Sequence, residues 1–157
     1  MTNKSHRHGA CSGRFAGTWY AIWETSVNGH RNINTETVLM KNRGTVTYLR
    51  NVSPSADNQL AGYLWKGQAR LHHKQFLVGD YAASEQSRLY RGTLFYVVHP
   101  SGQFMYGRWV GCNYDRPLAS GLSVFARSAT LAEEKFIELS NSHRPRDGQG
   151  KLQLDEE

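Results

Sequence analysis

The stretch Phe15-Ala16-Gly17-Thr18-Trp19-Tyr20-Ala21-Ile22-Trp23-Glu24-Thr25 alternates with a period of two. Phe15, Gly17, Trp19, Ala21 and Trp23 share one face, which reads as a strand with an aromatic side turned inward. Similar runs follow, separated by turn signals. Asn28-Gly29 marks a hairpin. A Thr- and Val-rich run covers 32–41. Asn42-Arg43-Gly44 turns into a run over 45–52, which places Val46, Tyr48, Arg50 and Val52 on one side. A Ser, Pro and Asn loop at 53–58 leads to a run over 59–71, with Tyr63 and Trp65 on one face. His72-His73-Lys74 turns into 75–81, and 82–88 is a polar connection. Runs over 90–99 and 103–111 flank Pro100-Ser101-Gly102. A loop at 112–119, with Asp115 and Pro117, precedes the last run, 120–127.

Eight strands joined mostly by short turns predict an all-β fold. The expected architecture is one antiparallel up-and-down barrel over 14–127, because closure removes exposed strand edges. The pattern then changes. Thr130-Leu131-Ala132-Glu133 reads as a capping box and predicts a short helix over 128–140, with Leu131, Phe136 and Leu139 packed on the barrel. Polar tails over 1–13 and 141–157 are expected to be flexible.

With 157 residues and 17.8 kDa, the chain has room for one core. Apolar residues form 39%, which excludes global disorder. No run approaches the roughly 18 apolar residues of a membrane helix. Residues 1–13 show no apolar signal segment, so Cys11 and Cys112 are expected as free thiols in a reducing, cytoplasmic compartment. The net charge is +6, distributed as +2 over 1–13, +7 over 14–127 and −3 over 128–157. A cationic barrel favours anionic partners.

Phe15-Ala16-Gly17-Thr18-Trp19 resembles the opening strand of the calycin superfamily, which includes lipocalins, fatty-acid-binding proteins and avidins. That resemblance implies a barrel closed by a basic residue of the last strand packed over the tryptophan, here Arg127 on Trp19. A guanidinium can stack on an indole and still donate to carbonyls. Gly17-Thr18-Trp19-Tyr20 also resembles avidins, without their polar biotin-holding set. Gly107-Arg108-Trp109-Val110-Gly111, with Ser120-Gly121 and Arg127, is similar to the ending of compact cyclic-dinucleotide receptor barrels of bacterial anti-phage signalling. This resemblance implies a sensing role in antiviral defence. Those receptors carry two membrane helices ahead of the barrel, which this sequence does not show.

Nucleotides need stacking planes and phosphate donors, supplied by aromatic faces and Arg forks. The expected ligand-binding set is Trp23, Tyr48, Arg50, Tyr63, Trp65, Arg91, Tyr106 and Arg108, taking an anionic, cyclic-oligonucleotide signal. The competing reading has aromatics filling the barrel and arginines facing water. An apolar ligand or haem held by His73 or His99 is the alternative, and a single-stranded nucleic-acid module a further one. Eight meandering strands argue against the five-stranded nucleic-acid barrel, and the basic residues form no run. No metal, cofactor or enzymatic activity is expected. His72 and His73 are adjacent and point to opposite faces, and His6 and His8 lack a third ligand. The acids Glu24, Glu36, Asp57, Asp80, Glu85 and Asp115 have no pairing spacing, and neither cysteine has a partnered motif. Oligomeric state is left open.

Overall fold

A computed structural model describes residues 14–27, 30–53, 63–85, 90–112 and 118–142. The expected tails (apart from residues 141 and 142), the Asn28-Gly29 turn, most of loop 53–58, the start of the run 59–71 and the middle of loop 112–119 lie outside the described residues.

The strands are β1 (Gly17–Val27), β2 (His30–Arg43), β3 (Val46–Ser53), β4 (Trp65–His72), β5 (Phe76–Ala83), β6 (Arg91–Val98), β7 (Phe104–Cys112) and β8 (Ala119–Ala126), followed by helix α1 (Ala129–Ser142). Each strand pairs antiparallel with the next, and β8 returns to β1, so the sheet is a closed barrel in chain order. The β1–β8 seam runs from Tyr20↔Ala126 to Trp23↔Ser123. This is the eight-stranded barrel the alternation predicts.

The inner face carries the large apolar side chains. Trp19, Met40, Leu77, Leu94, Tyr96, Met105 and Phe125 are buried there. Burial of each such side chain stabilises by about 1.5–3 kcal/mol. Tyr96 satisfies its buried hydroxyl by donating to Ser123 Oγ at 3.0 Å. A second cluster lies outside the barrel. Ile22 of β1 and Leu122, Val124 and Ala126 of β8 are covered by Ala132 and Phe136 of α1. This explains why β8 is buried on both faces along most of its length.

One end of the barrel is shut by the segment before β1. The Arg127 guanidinium lies 4.0 Å from the Trp19 ring centroid. Its Nη1 donates to Ala16 O at 3.0 Å and Thr18 O at 3.4 Å, and its Nη2 to Arg14 O at 3.0 Å. The Trp19 indole donates to Phe15 O at 2.8 Å. Gly17, at φ +108, carries the chain through this tight approach, where Arg127 Nη1 would lie 3.3 Å from a Cβ. The closure implied by the calycin resemblance is therefore present.

The helix departs from expectation. It begins at Ala129, and Ser128 is the cap: Leu131 N donates to Ser128 Oγ at 3.2 Å and Ala132 N to Ser128 O at 3.1 Å. Thr130 is inside the first turn, because the earlier hydroxyl of Ser128 already takes the Leu131 N–H. The helix also runs two residues beyond 140. β2 extends through Arg43, because Asn42 and Arg43 still pair with Thr47 and Val46.

Candidate functional site

The other end of the barrel holds a cavity of about 100 Å³ lined by Trp23, Thr25, Asn34, Glu36, Tyr63, Trp65, Tyr81 and Trp109. Period-two alternation delivers these side chains: Trp23 and Thr25 from β1, Asn34 and Glu36 from β2, Trp65 from β4, Tyr81 from β5, Trp109 from β7. Trp23 meets Trp65 edge-on at 5.6 Å, and Trp65 meets Tyr81 at 6.0 Å. Beneath them, Trp23 rests edge-on against Phe125 at 5.2 Å. At the rim Tyr63 stacks on Tyr90 at 4.9 Å. The walls are thus aromatic faces and edges in fixed orientations.

Glu36 is the acidic residue of this lining. Its Oε1 accepts from Trp65 Nε1 at 2.8 Å and its Oε2 from Asn51 Nδ2 at 3.0 Å. The carboxyl is enclosed, and that burial raises its pKa above the ordinary carboxylate value; hydrogen bonds from Asn51 and Trp65 pull it back in part. Trp23 Nε1 is buried and makes no hydrogen bond of good geometry. Asn51 also ties the site to the backbone. It donates to Tyr63 O at 3.0 Å and accepts from Trp65 N at 2.8 Å, so it anchors the start of β4. Asn34 donates to Thr25 Oγ1 at 3.1 Å across the β1–β2 pair. Burial holds the Tyr81 hydroxyl protonated well above its usual range, with Tyr63 and Cys112 adding to the shift.

Trp109 finishes the wall. Beyond Trp23↔Ser123 the β1–β8 register ends, and the Trp109 indole takes the next free carbonyl, Glu24 O, at 2.8 Å. It reaches across Gly121, where any Cβ would collide with Glu24 O and sit 2.7 Å from the indole nitrogen.

Of the expected ligand-binding residues, Trp23, Tyr63 and Trp65 meet at this cavity. The others do not. Tyr48, Arg50, Arg91 and Arg108 lie on the outer wall, exposed, because Leu49, Asn51, Gly92 and Trp109 take the inward positions beside them. Tyr106 also points outward and packs in the cluster under α1. His99 stacks on Phe104 at 4.3 Å, and its Nδ1 accepts from Ser101 N at 3.2 Å, so it organises the β6–β7 turn at the opposite end. His73 sits in the β4–β5 turn with φ 51. Neither reaches the cavity. Among the described residues, no group of three metal-ligating side chains occurs. Glu36, Asn34, Asn51, Tyr81 and Trp109 were not in the expected set. The available signal was parity: Asn34, Glu36, Val38 and Met40 alternate on one side of a single run.

No protein-family model matches the sequence, and no curated protein matches it. Among solved structures the chain is similar to a redesigned β-barrel, mFAP1, whose structure was determined bound to DFHBI. The TM-score is 0.55 at 11% identity, covering 73% of this chain and 95% of that one. The likeness concerns the fold, a closed β-barrel. It gives no support to the cyclic-dinucleotide receptor resemblance.

Proposed function

We propose that the barrel binds a small organic ligand in its open end, and that the ligand presents a positively charged or hydrogen-bond-donating nitrogen to Glu36. The observation that carries this reading is the enclosed Glu36 carboxyl, set among Trp23, Trp65, Tyr81 and Trp109 with no basic side chain lining the cavity among the described residues. Aromatic faces attract cations, and a desolvated carboxylate favours a paired one. A cavity of about 100 Å³ takes the head of a ligand rather than a whole one, because drug-sized ligands fill roughly 300–1,000 Å³. The rest of the molecule would then extend past Tyr63 at the rim. The redesigned barrel solved with DFHBI lends support to small-ligand binding in such an architecture. Among the described residues no arginine lines the cavity to meet an anionic nucleotide, which weakens the motive for that expectation.

This reading makes the protein a binder rather than an enzyme. Glu36 is held by two donors, and the cavity lining offers no adjacent nucleophile and base among the described residues.

The test is a thermal-shift screen of aromatic and aliphatic amines against nucleotides, fatty acids and haem. A ligand at about 100 times its Kd stabilises by roughly 2.7 kcal/mol. Amines should raise the transition, Glu36→Gln should abolish the rise, and Trp65→Phe should reduce it. Stabilisation by a nucleotide or a fatty acid, and by no amine, overturns the reading.

A further inference from the structure

The arginines and lysines missing from the interior are assembled on the outside. Outward positions align across strands in rows. One row runs Leu39, Arg50, Lys66, Ala82, Arg91 from β2 to β6. The next runs Lys41, Tyr48, Gln68, Asp80, Thr93, and a third runs Arg43, Val46, Arg70, Val78, Phe95, Arg108. This wall presents seven exposed cations against one acid, Asp80, and among the described residues none of the seven makes an ion pair. Arg50 and Lys66 are direct cross-strand partners, a like-charge placement that destabilises an unoccupied sheet. Between the rows lies an open groove of about 490 Å³, whose polar lining is Lys41, Tyr48, Arg50, Lys66, Gln68 and Asp80. Two aromatics stand out on the same wall: Tyr48 is 44% exposed with Arg43 over its ring, and Phe95 is 49% exposed and stacked on Phe76.

We infer that the outer wall of β2–β7 binds single-stranded nucleic acid, with phosphates along the Arg50–Lys66–Arg91 row and a base on Tyr48. Charge complementarity selects a polyanion, and the exposed aromatics select one whose bases are unstacked and able to lie on them. A duplex hides its base faces and would use the cations alone. A mononucleotide would engage the groove but not the row. The wall is separate from the Glu36 cavity, so Glu36→Gln leaves this binding unchanged.

The experiment is fluorescence anisotropy of the full chain with labelled oligo(dT) and oligo(U) of about 16 nucleotides. Duplex DNA of equal length and anionic phospholipid vesicles are the comparisons. With three phosphates paired, the salt slope is about −2.1, so affinity falls about 20-fold between about 50 and 200 mM salt. Arg50→Ala and Lys66→Ala each make that slope shallower by about 0.7. Tyr48→Ala weakens binding by about fivefold or more with the slope unchanged. Arg31→Ala, whose guanidinium is paired with Glu24 elsewhere on the surface, leaves binding as it was. All four positions are exposed, and circular dichroism with a thermal melt verifies that each variant keeps the fold. Absence of binding at about 50 mM salt overturns the inference. So does binding that Tyr48→Ala leaves intact, or binding of duplex or vesicles as tight as that of single strands.

Discussion

Glu36 shows how one side chain ties stability to function. A carboxyl taken out of water favours its protonated form, and the donors from Trp65 and Asn51 only partly restore the charged one. Its folded pKa therefore stands above its unfolded value. The stability it permits is complete below the unfolded pKa and declines as pH rises through the folded pKa. Glu36→Gln removes the titration. Thermal melts from about pH 4 to about pH 8 should show the variant gaining on the parent as pH rises; parallel curves would contradict this. Asn51 is the residue on which the site's geometry depends. Asn51→Ala strands Tyr63 O and Trp65 N and removes a donor from Glu36, so it should lower unfolding stability by about 2 kcal/mol in denaturant titration. Tyr96 and Ser123 offer a cleaner contrast. Ser123→Ala leaves the Tyr96 hydroxyl buried without its partner, whereas adding Tyr96→Phe removes the orphan. The double variant should recover about 1 kcal/mol or more over Ser123→Ala alone.

At the level of elements, β8 is held on both of its faces and at its end. Its inner side chains enter the barrel, its outer ones meet α1, and Arg127 just beyond it binds the segment before β1. Arg127→Lys keeps the charge but loses the fork that reaches three carbonyls while covering Trp19. It should destabilise by about 1–3 kcal/mol, scarcely less than Arg127→Ala, and shift Trp19 fluorescence toward that of a wetter indole. A full rescue by Lys would show that charge alone matters there. The cap is worth less: Ser128→Ala should cost about 1 kcal/mol, while Phe136→Ala, which empties the cover over Ile22, Leu122 and Val124, should cost about 3 kcal/mol.

For the molecule as a whole, closure decides both charge placement and folding. The barrel separates an interior whose described cavity is uncharged apart from Glu36 from an outer wall rich in cations. It also requires β1 to pair with β8, and Tyr20 to meet Ala126 across nearly the whole domain. Such non-local pairing makes folding slow, so stopped-flow refolding should occur in milliseconds to seconds. A microsecond phase carrying the full Trp fluorescence change would contradict that.

Alternation and turn residues were enough to read eight strands and their order, because period and turn chemistry are local properties of a chain; the Arg127 closure was implied only by the resemblance of the Gly17–Trp19 opening to calycins. That Trp23, Tyr63 and Trp65 share one cavity was legible for the same reason. What the sequence left undecided was parity. In 46–52 the alternate sets Val46, Tyr48, Arg50, Val52 and Thr47, Leu49, Asn51 are both mixed, and the first looks the more suited to a ligand-lined face. Only the closed barrel turns the second inward, where Leu49 packs in the core and Asn51 holds Glu36 and the start of β4. Rows across strands are invisible in the same way. Arg50, Lys66 and Arg91 are far apart along the chain and form no basic run, and Glu36 has no acid at a pairing spacing to mark it. Cross-strand register, a property of the folded sheet, is what lines up the cations outside and puts Glu36 under the tryptophans.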